Sequence, residues 1–283
     1  MQNWKIFSLV AGDFEICNIK SKECKILKAA GKLRYNNISP IVGDFVEIQN
    51  NMIKSVFERK NEFIRPKVSN IDQVIIFMSI EQPKFSSFLI DKYMSIIEKK
   101  SIKPILFITK SDLNPSETEM WKKQYSNMGY EVYSINNKKL FDDDLKKIFQ
   151  NKFSVFMGQS GVGKTTTLNN ITNLSFKTQE ISKALGRGKH TTRVVKIIPV
   201  FDGYLIDTPG FSSLEIELNS VELSKSFKMF KELSETCKFR DCLHINEKDA
   251  DCAIKLAIKN NNIPLFRYEN YLKLQKELQE KRK

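Results

Sequence analysis

The segment GQSGVGKT, residues 158–165, has the glycine, lysine and threonine spacing of a phosphate-binding loop. Glycines let backbone N–H groups surround phosphates, the lysine reaches the outer phosphate oxygens, and the threonine hydroxyl can bind magnesium. We therefore predict a nucleotide site in which Lys164 contacts the β- and γ-phosphates and Thr165 binds Mg²⁺. The residues assigned to the loop are Gly158, Gly161, Val162, Gly163, Lys164, Thr165 and Thr166.

A second motif, TKSD at residues 109–112, follows the apolar run PILFI and indicates which base is bound. It resembles the [NT]-K-x-D motif of GTPases and begins with Thr109. The Asp112 carboxylate would accept two guanine N–H groups that adenine lacks, while Lys110 packs along the base. This disfavours a P-loop kinase or an ATPase. YSINN, 133–137, occupies the place of the second guanine loop and matches its usual Ser-Ala-Lys only at Ser134.

Two further segments could contact the γ-phosphate and its magnesium. DTPG follows another apolar strand, and its Asp207 can hold Mg²⁺ through water while the Gly210 N–H meets the γ-phosphate. The polar segment GRGKHTTR, residues 186–193, contains two glycines and suits a switch loop. Its TTR context favours Thr192 as the Mg²⁺ ligand, with Thr191 as the alternative.

The hydrolytic residue must come from outside the DTPG motif. Phe211 follows DTPG, where many GTPases place a glutamine that orients water, and a phenylalanine cannot hydrogen-bond that water. His190 is the candidate, because it is one of only two histidines and lies in the switch segment. A neutral imidazole could orient water, and its pKa would also permit proton transfer. Alternatively, His190 contacts RNA or caps the loop.

The order of these motifs is unusual, because the guanine motif precedes the phosphate loop along this chain. In ordinary GTPases the phosphate loop comes first. The termini of a compact domain often lie close together, so joining them and cutting elsewhere preserves the sheet and the site. We interpret the order as a circular permutation, in which DTPG leads directly into the C-terminal segment and can act on it.

The segment CKFRDCLHINEKDADC supplies three thiols and one imidazole, a complete tetrahedral set for structural zinc. The predicted ligands are Cys237, Cys242, His244 and Cys252. The spacing to Cys252 is long, and Asp249 and Asp251 are alternatives for the fourth position. Cys17 and Cys24 have no partner histidine nearby and are predicted to be core or surface thiols.

The elements around these motifs predict three regions. Short alternating segments in residues 1–67, broken by turn residues, predict a small β-barrel, and RPKVSN then reads as a linker. Over 68–217, continuous apolar runs alternate with amphipathic stretches, which predicts a mostly parallel sheet with helices. Residues 218–283 are predicted to be helical. Their core-facing residues would be Leu223, Phe227, Phe230, Leu233, Tyr271, Leu274 and Leu278.

The composition, 41% hydrophobic and 28% charged, is typical of a soluble globular protein. The sequence shows no long apolar run and no secretory leader, so we expect a cytoplasmic protein without a membrane segment. Five cysteines, three of them clustered, do not match a secreted disulfide framework. The net charge of +13 favours polyanions such as RNA, although a coding bias toward Lys, Asn and Ile would produce it too.

The permuted order and the segments GQSGVGK, LGRGKHTT, DTPGF, CKFRDCLH, RYENYLKL, VGDFVEI and RKNEFIRP closely resemble the ribosome small-subunit-dependent GTPase A family (RsgA, YjeQ). The resemblance covers nearly the whole chain. It implies a multidomain protein: an OB-fold β-barrel at 1–67, a circularly permuted P-loop α/β GTPase domain at 68–217 and a helical zinc-binding domain at 218–283.

The resemblance also implies a function. A monomer would bind the small (30S) ribosomal subunit near the decoding region of 16S rRNA, late in its maturation, and hydrolyse GTP with Mg²⁺ and one Zn²⁺ per chain. It favours His190 as the hydrolytic residue. The alternative is an RNA-binding assembly factor that uses GTP only as a switch. The chain departs from the family pattern at Thr109, where Asn is commoner, and at Arg193, where a third Thr is frequent.

Overall fold

The computed structural model describes residues 3–139, 143–175, 195–207 and 218–280. The chain forms two compact units, one of Met1–Phe77 with Asn136–Ser213 and one of Met78–Ile135 with Leu214–Lys283. Each unit therefore combines two separate stretches of the sequence. The three predicted domains are, by contrast, continuous stretches of the sequence, and they stay a prediction.

Strands and helices are numbered in chain order. The strands are β1 (Trp4–Val10), β2 (Asp13–Asn18), β3 (Cys24–Ala29), β4 (Phe45–Gln49), β5 (Met52–Val56), β6 (Glu62–Phe63), β7 (Val68–Ser69), β8 (Gln73–Ser79), β9 (Lys103–Thr109), β10 (Glu131–Ile135), β11 (Phe153–Met157), β12 (Lys196–Val200) and β13 (Gly203–Asp207). The helices are α1 (Gly31–Tyr35), α2 (Ser87–Lys99), α3 (Pro115–Asn127), α4 (Asp143–Lys147), α5 (Lys164–Ser175), α6 (Ser220–Ser224), α7 (Lys228–Ser234), α8 (Ala253–Lys259) and α9 (Leu265–Glu280), with a 3-10 turn at Asp249–Asp251.

In the first unit, strands β1 to β5 close into a ring. Strand β1 pairs with both β2 and β4, and the ring continues through β3 and β5 in the order β1-β2-β3-β5-β4. Each of the five strands contributes an apolar side chain to the interior. The most buried are Ile6, Ile16, Leu27, Val46 and Ile53. The predicted N-terminal β-barrel of the OB type is therefore confirmed, and the structure shows that it has five strands.

The segment expected as a linker is packed instead of exposed. Val68 and Ser69 form β7, which pairs with β6, and both residues are fully buried. Asn70 donates through its side chain to the Gly43 carbonyl at 2.9 Å. Gly43 has a φ of +94°, and a Cβ there would lie 2.1 Å from the Ser69 carbonyl oxygen. Close backbone approach at a glycine, which the sequence pattern does not reveal, fixes this segment against the barrel.

The rest of the first unit contains a mixed sheet with the phosphate-loop helix. Strands β8, β11 and β13 run parallel, and β12 returns antiparallel to β13. Strand β8 is buried along its whole length, as expected for a central parallel strand covered on both faces. Helix α5 begins at Lys164, directly after the glycine-rich segment.

The second unit contains the parallel pair β9 and β10 and two capped helices. Ser86 caps α2 and Asn114 caps α3, each through its side-chain oxygen, and Pro115 stands at the first position of α3. Such residues accept the free N–H groups of a first helical turn. Helices α2 and α3 each follow an apolar strand, in the alternation of strands and helices that the sequence predicted.

The C-terminal part of the second unit is helical, as predicted. The apolar stripe residues Leu223, Phe227 and Phe230 are fully buried, and so are Tyr271 and Leu274. Helix α9 packs against α2, which joins the end of the chain to the β9–β10 part of the same unit. Among the described residues, no helix is both long and apolar enough to cross a membrane.

One prediction about the cysteines was wrong. Cys17 and Cys24 are joined by a disulfide, with their Cα atoms 4.1 Å apart. They face each other across the antiparallel pair β2–β3, in direct register. Directly opposed residues of antiparallel strands bring their side chains together, so pairing across a hairpin creates a contact that a separation of seven residues does not reveal.

Candidate functional site

The phosphate loop has the backbone that its glycines permit. Gly158, Gly161 and Gly163 all have positive φ angles. At Gly158 a Cβ would lie 2.4 Å from the Phe77 carbonyl oxygen, so no larger residue fits there without moving backbone. Strand β11 precedes the loop and α5 follows it, which is the strand, loop and helix order that phosphate cradles require.

Lys164 is held inside its own loop. Its ammonium group donates to the Gly158 carbonyl at 2.6 Å, and burial lowers the pKa of this lysine. Val162 is buried and anchors the loop, whereas Thr165 and Thr166 are exposed at the start of α5. A phosphate ligand would offer Lys164 anionic oxygens in place of this neutral carbonyl. The loop thus holds its cation ready for an anion.

Asp207 lies at the same sheet edge as the phosphate loop. Strands β11 and β13 are parallel, with Phe153 paired to Tyr204 and Val155 to Ile206. Both strands therefore present their carboxyl ends together, where open α/β sheets bind ligands. Asp207 is the last residue of β13 and is exposed. The first unit accordingly brings a phosphate cradle and an aspartate to one edge.

The guanine motif forms a tight turn at the end of β9 in the second unit. Thr109 is buried, and its carbonyl accepts the Ile80 N–H at 3.0 Å. Lys110 has a φ of +54°, and its ammonium group donates to the Gln82 carbonyl. The Ser111 N–H donates to the Ile135 carbonyl at 3.3 Å, which ties the turn to the end of β10. Asp112 is partly exposed within this fixed turn.

The segment 133–137, predicted as the second guanine loop, comprises the end of β10 and the residues that follow it. Ser134 belongs to β10, pairs with Ile108 and is exposed. Asn137, in the first unit, accepts a hydrogen bond from the Thr167 hydroxyl at 3.0 Å, and its backbone carbonyl accepts one from the Asn170 amide at 3.1 Å. Thr167 is fully buried in α5. The loop is therefore bonded directly to the helix that carries the phosphate loop.

Four further predicted residues lie outside the described part of the chain. They are His190, Thr191, Thr192 and Gly210. The roles assigned to them from the sequence stay predictions.

The predicted metal ligands come together in the second unit. The ligand atoms of Cys237, Cys242, His244 and Cys252 all lie within 4.8 Å of one another. The Nδ1 atom of His244 lies 3.4 Å from the Cys252 sulfur and 3.8 Å from the Cys237 sulfur. Three sulfurs and one imidazole nitrogen in a closed cluster are the donor set of a structural zinc site.

The carboxylates considered as alternatives to Cys252 are engaged elsewhere. Asp249 pairs with Lys259 at 2.6 Å, and Asp251 pairs with Lys238 at 3.0 Å. Cys252 itself is fully buried within the cluster. The geometry therefore favours Cys252 as the fourth ligand.

Burial raises the pKa of the Cys242 and Cys252 thiols and lowers the pKa of His244. Burial therefore favours the neutral forms of these two thiols and of the imidazole. Because a metal binds thiolates and neutral imidazole, its binding would release thiol protons and depend on pH.

The surroundings of the cluster were not predicted from the sequence. The Nε2 atom of His244 lies 3.3 Å from the Ser224 carbonyl at the end of α6. The Tyr268 hydroxyl donates to the His244 carbonyl at 2.6 Å, and the Tyr271 hydroxyl donates to the Leu243 carbonyl. From the sequence, Tyr271 was expected only as a core residue. Its hydroxyl group was the available signal, because the hydroxyl of a buried tyrosine usually has a hydrogen-bond partner.

Comparisons with known proteins agree with this arrangement. The sequence model of the RsgA GTPase family matches residues 56–217. The chain is 51% identical, over 99% of both sequences, to the small ribosomal subunit biogenesis GTPase RsgA of Mycoplasmopsis agalactiae. It is 38% identical to the protein of the same name from Bacillus subtilis, over 100% of this chain and 99% of that one.

Two solved structures are similar over nearly the full length. YloQ, described as a circularly permuted GTPase, has a TM-score of 0.80 at 33% identity, covering 98% of this chain and 95% of that one. YjeQ from Thermotoga maritima has a TM-score of 0.84 at 31% identity, covering 97% of each chain. With the family model matching more than half of the sequence and relatives well above 30% identity over nearly all of it, the chain belongs to the RsgA GTPase family.

Proposed function

We propose that this chain hydrolyses GTP on the small ribosomal subunit late in the maturation of that subunit, and that the 30S subunit stimulates the hydrolysis. The observation that carries the proposal is a near-complete likeness to relatives named small ribosomal subunit biogenesis GTPases. The formed phosphate loop, with Lys164 held at its centre, supplies the matching chemistry in this chain.

Guanine recognition is assigned to the turn after β9. The Asp112 carboxylate accepts the two N–H donors of guanine, and Lys110 covers the base, while the buried Thr109 holds the turn in place. Ser134 contributes from the end of β10. The packing of this turn, with its bonds to Gln82 and Ile135, supports a preformed base site.

The phosphates are assigned to the loop and its helix. Backbone N–H groups of Gly158, Gly161, Val162 and Gly163 surround them, and Lys164 neutralises their charge. The hydroxyl groups of Thr165 and Thr192 would hold Mg²⁺, with Thr191 as the alternative to Thr192. The ion, when bound, neutralises charge that develops on the transferred phosphoryl group.

Thr166 lies beside Thr165 on α5 and is assigned to the same phosphate group. Asp207 would bind the magnesium through a water molecule, and the Gly210 N–H would contact the γ-phosphate. The parallel register of β11 and β13 supports the assignment of Asp207, since it brings that residue to the edge that carries the loop.

His190 is assigned as the residue that orients the attacking water. The DTPG motif is followed by Phe211, whose side chain has no hydrogen-bonding atom. A neutral imidazole can hold the water in line with the γ-phosphate and accept a proton from it. The phosphate loop and magnesium supply charge stabilisation, so a lost imidazole would reduce turnover more than nucleotide binding.

The cluster of Cys237, Cys242, His244 and Cys252 is assigned to one Zn²⁺ ion. Its closed geometry leaves no position for water, so the metal would stabilise the fold and take no part in hydrolysis. We assign residues 1–67 to an OB-fold RNA-binding domain, 68–217 to the permuted GTPase domain and 218–283 to the zinc domain. We assign the chain as a cytoplasmic monomer, and its net charge of +13 suits contact with 16S rRNA.

The test is GTP turnover with and without purified 30S subunits, for wild type and His190→Ala. We expect stimulation of the wild type, and a loss of about 100-fold or more in the variant with GTP affinity nearly unchanged. Binding of each protein to 30S subunits is measured in parallel as the control. Negligible turnover of wild type on 30S subunits would favour the GTP-switch alternative, and normal turnover of His190→Ala would exclude the imidazole.

A further inference from the structure

The loop that carries His244 is fixed by a carboxylate that binds backbone on both sides of it. Glu247 accepts the Leu243 N–H through one oxygen at 2.7 Å and the Ile245 N–H through the other at 2.8 Å. His244, between these two residues, has a φ of +58°. This left-handed conformation is uncommon for a non-glycine residue, and the two hydrogen bonds to Glu247 hold the loop in it.

Within this loop the two ring nitrogens of His244 face different groups. With the loop in place, Nδ1 points to the sulfurs of Cys252 and Cys237, and Nε2 lies 3.3 Å from the Ser224 carbonyl. A carbonyl can only accept, so Nε2 carries the proton and Nδ1 keeps its lone pair for a metal. Histidine ligands are commonly oriented in this way by the group on the other ring nitrogen.

We propose that Glu247 is the positioning residue of the metal site, which fixes the 243–245 loop so that His244 presents Nδ1 to the ion. The proposal rests on the zinc site proposed above. Glu247 stands outside the four-residue ligand cluster, so it acts through backbone. Tyr268 supports the same loop, because its hydroxyl donates to the His244 carbonyl at 2.6 Å.

The charge of Glu247 gives the proposal a competing outcome. The carboxylate binds the backbone N–H of Leu243, the residue next to Cys242, whose thiol becomes an anion when a metal binds. If repulsion between the two anions dominated, removing the charge would strengthen metal binding. Lys255 offsets this repulsion, because its ammonium group donates to the Glu247 carbonyl at 2.6 Å. Loop fixation and repulsion therefore predict opposite effects of a neutral substitution.

Glu247→Gln separates these effects, because glutamine keeps the size and loses the charge. Its one acceptor oxygen replaces two carboxylate oxygens, each of which accepts a different backbone N–H. The measurement is the rate at which zinc passes from the full-length protein to a chromogenic chelator. We expect release about 10–100-fold faster than from wild type, the usual range for a lost partner outside the ligand shell. Glu269→Gln, on the exposed side of α9, is the matched control and should release zinc at the wild-type rate.

Two further measurements keep the test decisive if Glu247→Gln folds poorly. Tyr268→Phe removes only the hydroxyl, and we expect a smaller acceleration of zinc release in the same direction. Cobalt substitution should give the absorption of a tetrahedral three-sulfur site in wild type and an altered band in Glu247→Gln. Equal or slower zinc release from both variants would overturn the role of Glu247, whereas wild-type protein without zinc would overturn the metal site itself.

Discussion

Helices α2 and α9 are joined by a buried ion pair whose removal should have a large effect. Arg267 is 1% exposed and Asp91 is 0% exposed, and the guanidinium donates to the Asp91 carboxylate and to the Tyr130 hydroxyl. The guanidinium carbon also lies 4.2 Å from the centre of the Phe227 ring. Arg267→Met would keep most of the side-chain volume and remove the charge together with these hydrogen bonds.

Removing one partner of a buried pair typically costs about 3–5 kcal/mol, because the remaining charge stays buried without compensation. Asp91 would keep two hydrogen bonds, from Asn270 at 2.8 Å and from Tyr125 at 3.1 Å. It can also take up a proton, since burial raises its pKa while Arg267 opposes this rise. We therefore expect a loss of about 3 kcal/mol in the free energy of unfolding at pH 7.5.

The pH dependence follows from the same carboxyl. In Arg267→Met the folded-state pKa of Asp91 should lie further above its unfolded value, so the folded protein binds the proton more tightly. The stability deficit is then smallest at low pH and grows as the pH rises toward that folded-state pKa. The deficit at pH 5 should be smaller than at pH 7.5, and Asp91→Asn added to Arg267→Met should recover part of it at pH 7.5.

The assay is urea unfolding followed by tryptophan fluorescence. The chain has two tryptophans, so Trp4→Phe leaves Trp121 as the reporter, whose ring centre lies 5.3 Å from that of Phe266. Lys276→Met on α9 is the control, because Lys276 is exposed and its ammonium group makes only a long, exposed ion pair of 4.0 Å with the Glu280 carboxylate. This substitution should cost less than about 0.5 kcal/mol. A loss below about 1 kcal/mol in Arg267→Met would refute the reasoning.

Lys5, the disulfide and Asp112 each give a further expected outcome. Burial lowers the pKa of Lys5 to about 7 from 10.5, so the unfolded chain binds more protons between these values and barrel stability should rise with pH there. Lys5→Met should remove this rise and add about 1–3 kcal/mol to the free energy of unfolding at pH 6, which urea unfolding at pH 6 and 8.5 would measure. Cys24→Ser opens a seven-residue loop and should lower the free energy of unfolding of the barrel by about 2 kcal/mol without reductant. With reductant the variant and the wild type should be equally stable, and equal melting of both proteins without reductant would contradict the disulfide. Asp112→Asn should weaken GTP binding and favour xanthosine triphosphate in a competition assay, and unchanged GTP affinity would remove Asp112 from the base site.

Much of the site could be predicted because its determinants are local. The phosphate loop depends on glycines within eight residues, and the turn at TKSD depends on the strand just before it. The four members of the metal-ligand cluster are recognisable by residue type, since three cysteines and a histidine have few other reasons to lie within sixteen residues. The parallel strands were visible as continuous apolar runs, which only strands covered on both faces require.

The remaining features depend on residues far apart in the sequence. Lys5 reads as an ordinary surface lysine, yet it is buried, donates to the Asn70 carbonyl at 3.1 Å and lies 3.3 Å from the Phe153 ring centre. Arg267 and Asp91 are separated by 176 residues.

The sequence by itself therefore determined the elements, the nucleotide chemistry and the metal donor set, because propensity, periodicity and ligand type act over a few residues. Only the tertiary structure decided which charges are buried and which backbone groups hold His244 in place. Those outcomes depend on desolvation and hydrogen bonding between distant segments, and no local pattern encodes them.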